Sequence, residues 1–66
     1  MRVDRVKLIA EMARQDIKVN ELAKKAGISR NTVTALRSGK TCYRNTVIHV
    51  ARALGVDPEE LLKKEE

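Results

Sequence analysis

The sequence predicts an all-α fold, a compact bundle of about five short helices. Three observations predict it. Apolar residues recur at helical spacing, and no segment of strand length alternates at period two. Glycines stand at 27, 39 and 55, each just beyond a periodic segment, where a left-handed residue closes a helix. Asp57-Pro58-Glu59-Glu60 combines an N-cap acid, a proline at the first helical position and a capping glutamate, which together open a helix.

Val6, Ile9, Ala10 and Ala13 follow the i, i+3, i+4, i+7 spacing and predict a first helix buried along that stripe. Leu8 and Met12 widen it, Asp4 is the expected N-cap, and Gln15-Asp16 the exit. A second helix is expected from about Val19 to Ala26, with Leu22, Ala23 and Ala26 inward and Gly27 closing it. Ser29 reads as the N-cap of a third helix running to about Ser38, with Val33 and Leu36 inward and Gly39 as its stop. A fourth helix covers about Asn45 to Leu54, with Val47, Val50, Ala51 and Leu54 on one stripe and Gly55 as terminator. The last element follows Asp57-Pro58, and Leu61 and Leu62 are expected to dock it on the core.

Composition narrows the function classes. A chain of 66 residues has room for one domain and a modest core. A single cysteine, Cys42, excludes an internal disulfide and fits a reducing, cytoplasmic setting. Zinc requires about four ligands, and Cys42 and His49 are the only soft candidates, so no metal or cofactor is expected. The longest aliphatic run is Leu8-Ile9-Ala10, far below the ~20 residues of a membrane span, and neither a span nor a signal peptide is expected. A nucleophilic Cys42 would need a base in reach, and nothing in the pattern brings His49 to it. No glycine-rich phosphate loop or catalytic carboxylate pair stands out, so an enzyme is not expected. Glu59-Glu60 and Glu65-Glu66 read as cap and tail.

Charge is unevenly spread. The chain carries +5 overall, yet between Glu21 and Asp57 there is no acidic residue. That stretch holds Lys24, Lys25, Arg30, Arg37, Lys40, Arg44 and Arg52, as expected of a surface that meets a polyanion. Within it, Val19 to Ser38 reads helix, tight turn, helix: small Ala23 where two helices approach, Gly27 at the turn, and Val33 and Leu36 as the packing face of the second helix.

Glu21-Leu22-Ala23-Lys24-Lys25-Ala26-Gly27-Ile28-Ser29-Arg30-Asn31-Thr32-Val33, then Ser38-Gly39-Lys40, then Ala53-Leu54-Gly55-Val56 with Leu61-Leu62, resemble the Cro/C1-type (XRE) helix-turn-helix regulators, which include phage repressors. The resemblance spans about residues 5–62 and implies a lambda-repressor-like DNA-binding domain. It implies a recognition helix starting near Ser29 whose outer face enters the major groove. Arg30, Asn31, Thr34 and, further along, Arg37 are then outward. Arginine bonds bidentately to guanine and asparagine to adenine, which suits Arg30 and Asn31 to base reading. Ala35 matches a third reading position, where its methyl suits a thymine methyl, and Ser29 divides its hydroxyl between the helix cap and a phosphate. Lys40, Thr41, Tyr43 and Arg44 match positions that grip the sugar-phosphate backbone and set register rather than sequence preference. Tyr43, the only aromatic residue, reads equally as a packing residue.

Two departures stand out. Val19 occupies the place of a phosphate-contacting glutamine, with Lys18 instead of a small capping residue, so that contact is lost or passes to Lys18 or Asn20. The segment after Gly39 lacks the common proline. The reading that follows is a sequence-specific double-stranded DNA-binding regulator, a repressor of phage, mobile-element or bacterial type, with no small-molecule ligand. A homodimer is expected through Val56 and a 57–64 helix. The alternatives are an antitoxin or excisionase-like factor within the DNA-binding class, and a protein-interaction module on the same scaffold. The acid-free stretch and the Arg30-Asn31 pair count against the last, because helix packing requires neither.

Overall fold

The computed structural model describes residues 2–63. Five helices follow in order: α1 (Arg5–Arg14), α2 (Val19–Ala26), α3 (Arg30–Arg37), α4 (Arg44–Leu54) and α5 (Pro58–Leu61). Among the described residues there is no strand, and no helix is long and apolar enough to cross a membrane.

Local chemistry sets the boundaries. Asp4 Oδ1 accepts the amides of Val6 and Lys7 at 3.1 and 3.3 Å, satisfying two donors that α1 cannot pair itself. Asp57 Oδ1 does the same for Glu59 at 2.9 Å, ahead of Pro58. The first four helices share one ending. A residue in the left-handed region follows each of them, at Asp16, Gly27, Gly39 and Gly55. In each case the next amide bonds back five residues: Ile17 to Met12, Ile28 to Ala23, Lys40 to Ala35 and Val56 to Ala51, at 2.9–3.2 Å. That is the double-bonded helix closure in which the left-handed residue reverses the chain. Three of the four positions are glycine; α1 uses Asp16, at φ 52°.

The core is assembled from every element: Leu8 and Met12 of α1, Leu22, Ala23 and Ala26 of α2, Val33 and Leu36 of α3, Val47, Val50, Ala51 and Leu54 of α4, and Leu61, with Val3 and Ile17 from the connecting segments. Helix α2 packs against both α3 and α4, α1 against α3 and α5, and α5 against α4. Burial of one such leucine stabilises by about 1.5–3 kcal/mol, and shared burial holds helices this short in place.

The stripe expected on α1 is corrected. Val6 is 67% exposed, Ala10 and Ala13 are exposed, and Ile9 is half-buried, whereas Leu8 and Met12 are the buried pair. The inward face runs Leu8, Met12, Gln15 at i, i+4, i+7, and because its third member is polar, counting apolar residues favoured the opposite side. The last helix is also shorter than expected. It ends at Leu61, and Leu62 adopts extended dihedrals and pairs with Val3 in an isolated antiparallel bridge. Lys64 and the Glu65-Glu66 tail lie outside the described residues. Helix α4 starts one residue early, at Arg44, with Tyr43 as its N-cap residue.

Candidate nucleic-acid interface

The α2–α3 unit is built by its turn. Gly27 sits at φ 69°, and a side chain there would meet no neighbouring atom, so glycine is required by backbone conformation and not by space. Ile28 packs against the core beyond it. Ser29 then caps α3: its Oγ accepts the Thr32 amide at 3.1 Å and lies 2.7 Å from Thr32 Oγ1. This accounts for the capping half of the double role expected of Ser29. Lys18 makes no side-chain cap at α2, as its chemistry implies.

Helix α3 presents distinct sides. Val33 and Leu36 are buried at 0% and 1% exposure, leaving Arg30, Asn31, Thr34 and Arg37 exposed. Thr34 Oγ1 donates to the Arg30 carbonyl at 3.1 Å, and Ser38 Oγ to the Thr34 carbonyl at 3.1 Å, so both hydroxyls keep lone pairs for an outside donor. Arg30 and Arg37, two turns apart, line one shallow depression with Ile9, Ala13, Lys18 and Asn20. Half-buried Ala35 lies on the other flank, in a groove with Thr32, Thr41, Tyr43 and Thr46. The α3 ridge thus stands between a cationic flank, which includes Lys18 and Asn20, and a hydroxyl-rich flank.

Lys40, Thr41, Tyr43 and Arg44 are all exposed on the segment joining α3 to α4. Tyr43 is 84% exposed, which excludes the packing reading. Cys42 is half-buried against the core between them, and burial pushes its thiol up from the ordinary range. A raised thiol is a poorer nucleophile at neutral pH. His49 is exposed on α4. Among the described residues no group of histidine, cysteine and carboxylate side chains is placed to hold a metal ion.

Comparison with known proteins decides the family. The family model of the Cro/C1-type HTH DNA-binding domain matches residues 7–66. The chain belongs to this family. The domain is similar to the HTH-type transcriptional regulator PrtR of Pseudomonas aeruginosa, 45% identical over 47 residues, which are 71% of this chain but 18% of that protein. Two solved structures share its fold within larger enzymes. One is a variant of hydroxyethylphosphonate dioxygenase, with a TM-score of 0.88 at 24% identity, covering 100% of this chain and 14% of that one. The other is the Streptomyces albus enzyme HEPD with 2-hydroxyethylphosphonate and Fe(II), with a TM-score of 0.80 at 30% identity over 92% of this chain and 15% of that one. The domain thus spans less than a fifth of the length of each of these relatives.

Sequence reasoning missed the N-terminal cations. Arg2 pairs with Thr41 across an isolated antiparallel bridge, and the Arg5 side chain lies over Gly39. Both arginines fall outside the acid-free stretch and in a segment of mixed charge, so a count along the chain gave no signal. Thr46 was missed for another reason: it reaches the Ala35 groove only because α4 begins beside α3.

Proposed function

We propose that this domain is the DNA-reading part of a transcriptional regulator, a repressor of phage, mobile-element or bacterial type. It reads the major groove with α3. In this reading Arg30 and Asn31 bond base edges, Thr34 and Ala35 make shorter-range base contacts, and Arg37 and Ser29 reach phosphate. Lys40, Thr41, Tyr43 and Arg44 hold the backbone on one side of the ridge. The observation that carries the proposal is the exposed face of α3. Its Arg30 and Asn31 have no packing role, bear the two side chains best suited to purine edges, and stand between flanks that carry cations and hydroxyls. Fold alone does not carry it, since the same scaffold occurs within enzymes.

Reading a two-fold site requires two copies, with recognition helices about 34 Å apart. We place the pairing surface at Val56 and residues 57–64. Val56 is half-buried and lines a groove with Ala10, Glu60 and Leu61, which gives a second copy an apolar centre with a charged rim.

The test is selection from a randomised duplex pool at about 150 mM salt, followed by titration of the selected site and a scrambled duplex. A preference of about a thousandfold or more for a palindrome establishes a sequence-specific regulator that acts as a dimer. Equal weak binding to both duplexes makes the domain a non-specific architectural protein. No binding to either, together with stoichiometric capture of a protein, makes it a protein-interaction module.

A further inference from the structure

The N-terminal segment is woven into the surface proposed to grip DNA. Its centre is extended: Arg2 bridges to Thr41 on one side, and Val3 bridges to Leu62 on the other. The Lys63 amide donates to the Arg2 carbonyl at 3.0 Å, and the Asp4 amide to the Leu61 carbonyl at 2.7 Å. Successive residues of an extended segment face opposite sides. Val3, 1% exposed, points into the core, so Arg2 points out, on the side of its bridge partner Thr41. Arg5 follows at the start of α1. Its Cδ lies 3.6 Å from the position of a Cβ on Gly39, so its stem crosses the end of α3 while the residue stays exposed. Arg5 and Lys63 line one depression with Ser38 and Gly39.

Among the described residues none of these cations forms an ion pair, and one carboxylate shares the depression with Arg5 and Lys63. The carboxylate in that depression is Asp4, and it is engaged with the amides of Val6 and Lys7. Among the described residues the ion pair is Glu11–Arg14, which involves none of these cations. Like charges gathered at one edge repel unless an anion lies across them.

We propose that Arg2 and Arg5 are phosphate contacts, a second backbone grip supplied by the N-terminal segment beside the loop that carries Lys40 to Arg44. The ligand class is the phosphodiester backbone of duplex DNA flanking the bases under α3, and the proposal rests on the DNA-reading function above. The bridge to Thr41 fixes where Arg2 stands, so its guanidinium reaches a phosphate already aligned by Thr41. Little chain entropy is lost on binding, in contrast to a free arm.

The experiment is a salt titration of the intact domain and of Arg2→Ala, Arg5→Ala, Arg2→Lys and Arg5→Lys on the selected and scrambled duplexes. Melting curves establish that each variant is folded. Each alanine change is expected to weaken both duplexes about fivefold at 150 mM salt and to lower the slope of log affinity against log salt by about 0.9. The lysine variants are expected to keep the slope. Alanine variants with the affinity and slope of the parent domain overturn the proposal and leave the DNA-reading function standing. So does a loss of affinity with an unchanged slope, which assigns Arg5 to packing against Gly39. A parent domain that binds neither duplex overturns both.

Discussion

Gln15 Nε2 donates a 2.6 Å hydrogen bond to the Leu54 carbonyl, joining the end of α1 to the end of α4 across 39 positions of sequence. The same amide bonds Glu11 Oε1 at 2.8 Å, so one side chain serves a free carbonyl of the α4 terminus and a carboxylate of its own helix. Gln15→Leu keeps the volume and removes both bonds. We expect a loss of about 1 kcal/mol, read as a Tm lowered by about 4–8 °C in a domain of this size. An unchanged Tm would show that water replaces the amide at no cost.

Glu11 is also bonded by Arg14, whose guanidinium donates to both of its carboxylate oxygens. The Arg14 bonds first, and the Gln15 bond second, hold the Glu11 carboxyl at about 2, below its ordinary 4.5. A folded-state value below the unfolded one stabilises the fold above the unfolded value, and this contribution is lost as pH falls through the folded value. The window is therefore about pH 4.5 down to 2. Thermal melts of the parent domain across that window should fall more steeply than those of Glu11→Gln. Parallel curves would show that the pair, whose Arg14 is exposed, is screened by solvent.

The α2–turn–α3 unit was legible in the sequence because its signals are local. Gly27 marks the reversal, Ser29 caps within three residues, and Val33 and Leu36 lie one turn apart. What was not legible depends on partners far along the chain. The inward face of α1 is set by Leu54, which accepts from Gln15, and the end of α5 by Val3, which takes Leu62 out of the helix. The N-terminal cations join the loop through the Arg2–Thr41 bridge. The corrected face of α1 has a direct consequence. Leu8→Ala should cost about 2–5 kcal/mol, whereas Val6→Thr and Ala10→Ser should stay within about 0.5 kcal/mol in denaturant unfolding. The reverse order would restore the Val6–Ala13 stripe as the core face.

Asp16 is the one non-glycine residue among the four helix closures, at φ 52°. Aspartate tolerates the left-handed region through its short polar side chain, and a β-branched residue does not. Asp16 is exposed, so a substitution there reports backbone cost with little loss of packing. Asp16→Val should destabilise by about 1–2 kcal/mol, while Asp16→Gly should match the parent or exceed it slightly. Equal stability of the two variants would mean that α1 can close without the left-handed residue.

Arg30 and Lys40 stand at opposite ends of α3, and their chemistry separates base reading from backbone holding. A bidentate arginine discriminates by about 1–3 kcal/mol against a wrong base, because the mismatched edge does not match its pair of donors. Arg30→Ala, and Asn31→Ala likewise, should therefore lose that amount on the selected duplex, relax preference at one base position, and change little on the scrambled duplex. A lone ammonium on phosphate is indifferent to sequence. Lys40→Ala should weaken both duplexes equally and lower the salt slope by about one. The comparison is decided by the ratio of selected to scrambled affinity, which should fall for the α3 variants and hold for Lys40→Ala. A common ratio for all three would remove the reading role from Arg30 and Asn31 and leave α3 as a further cationic surface, because only a contact to a base edge can make the loss depend on sequence.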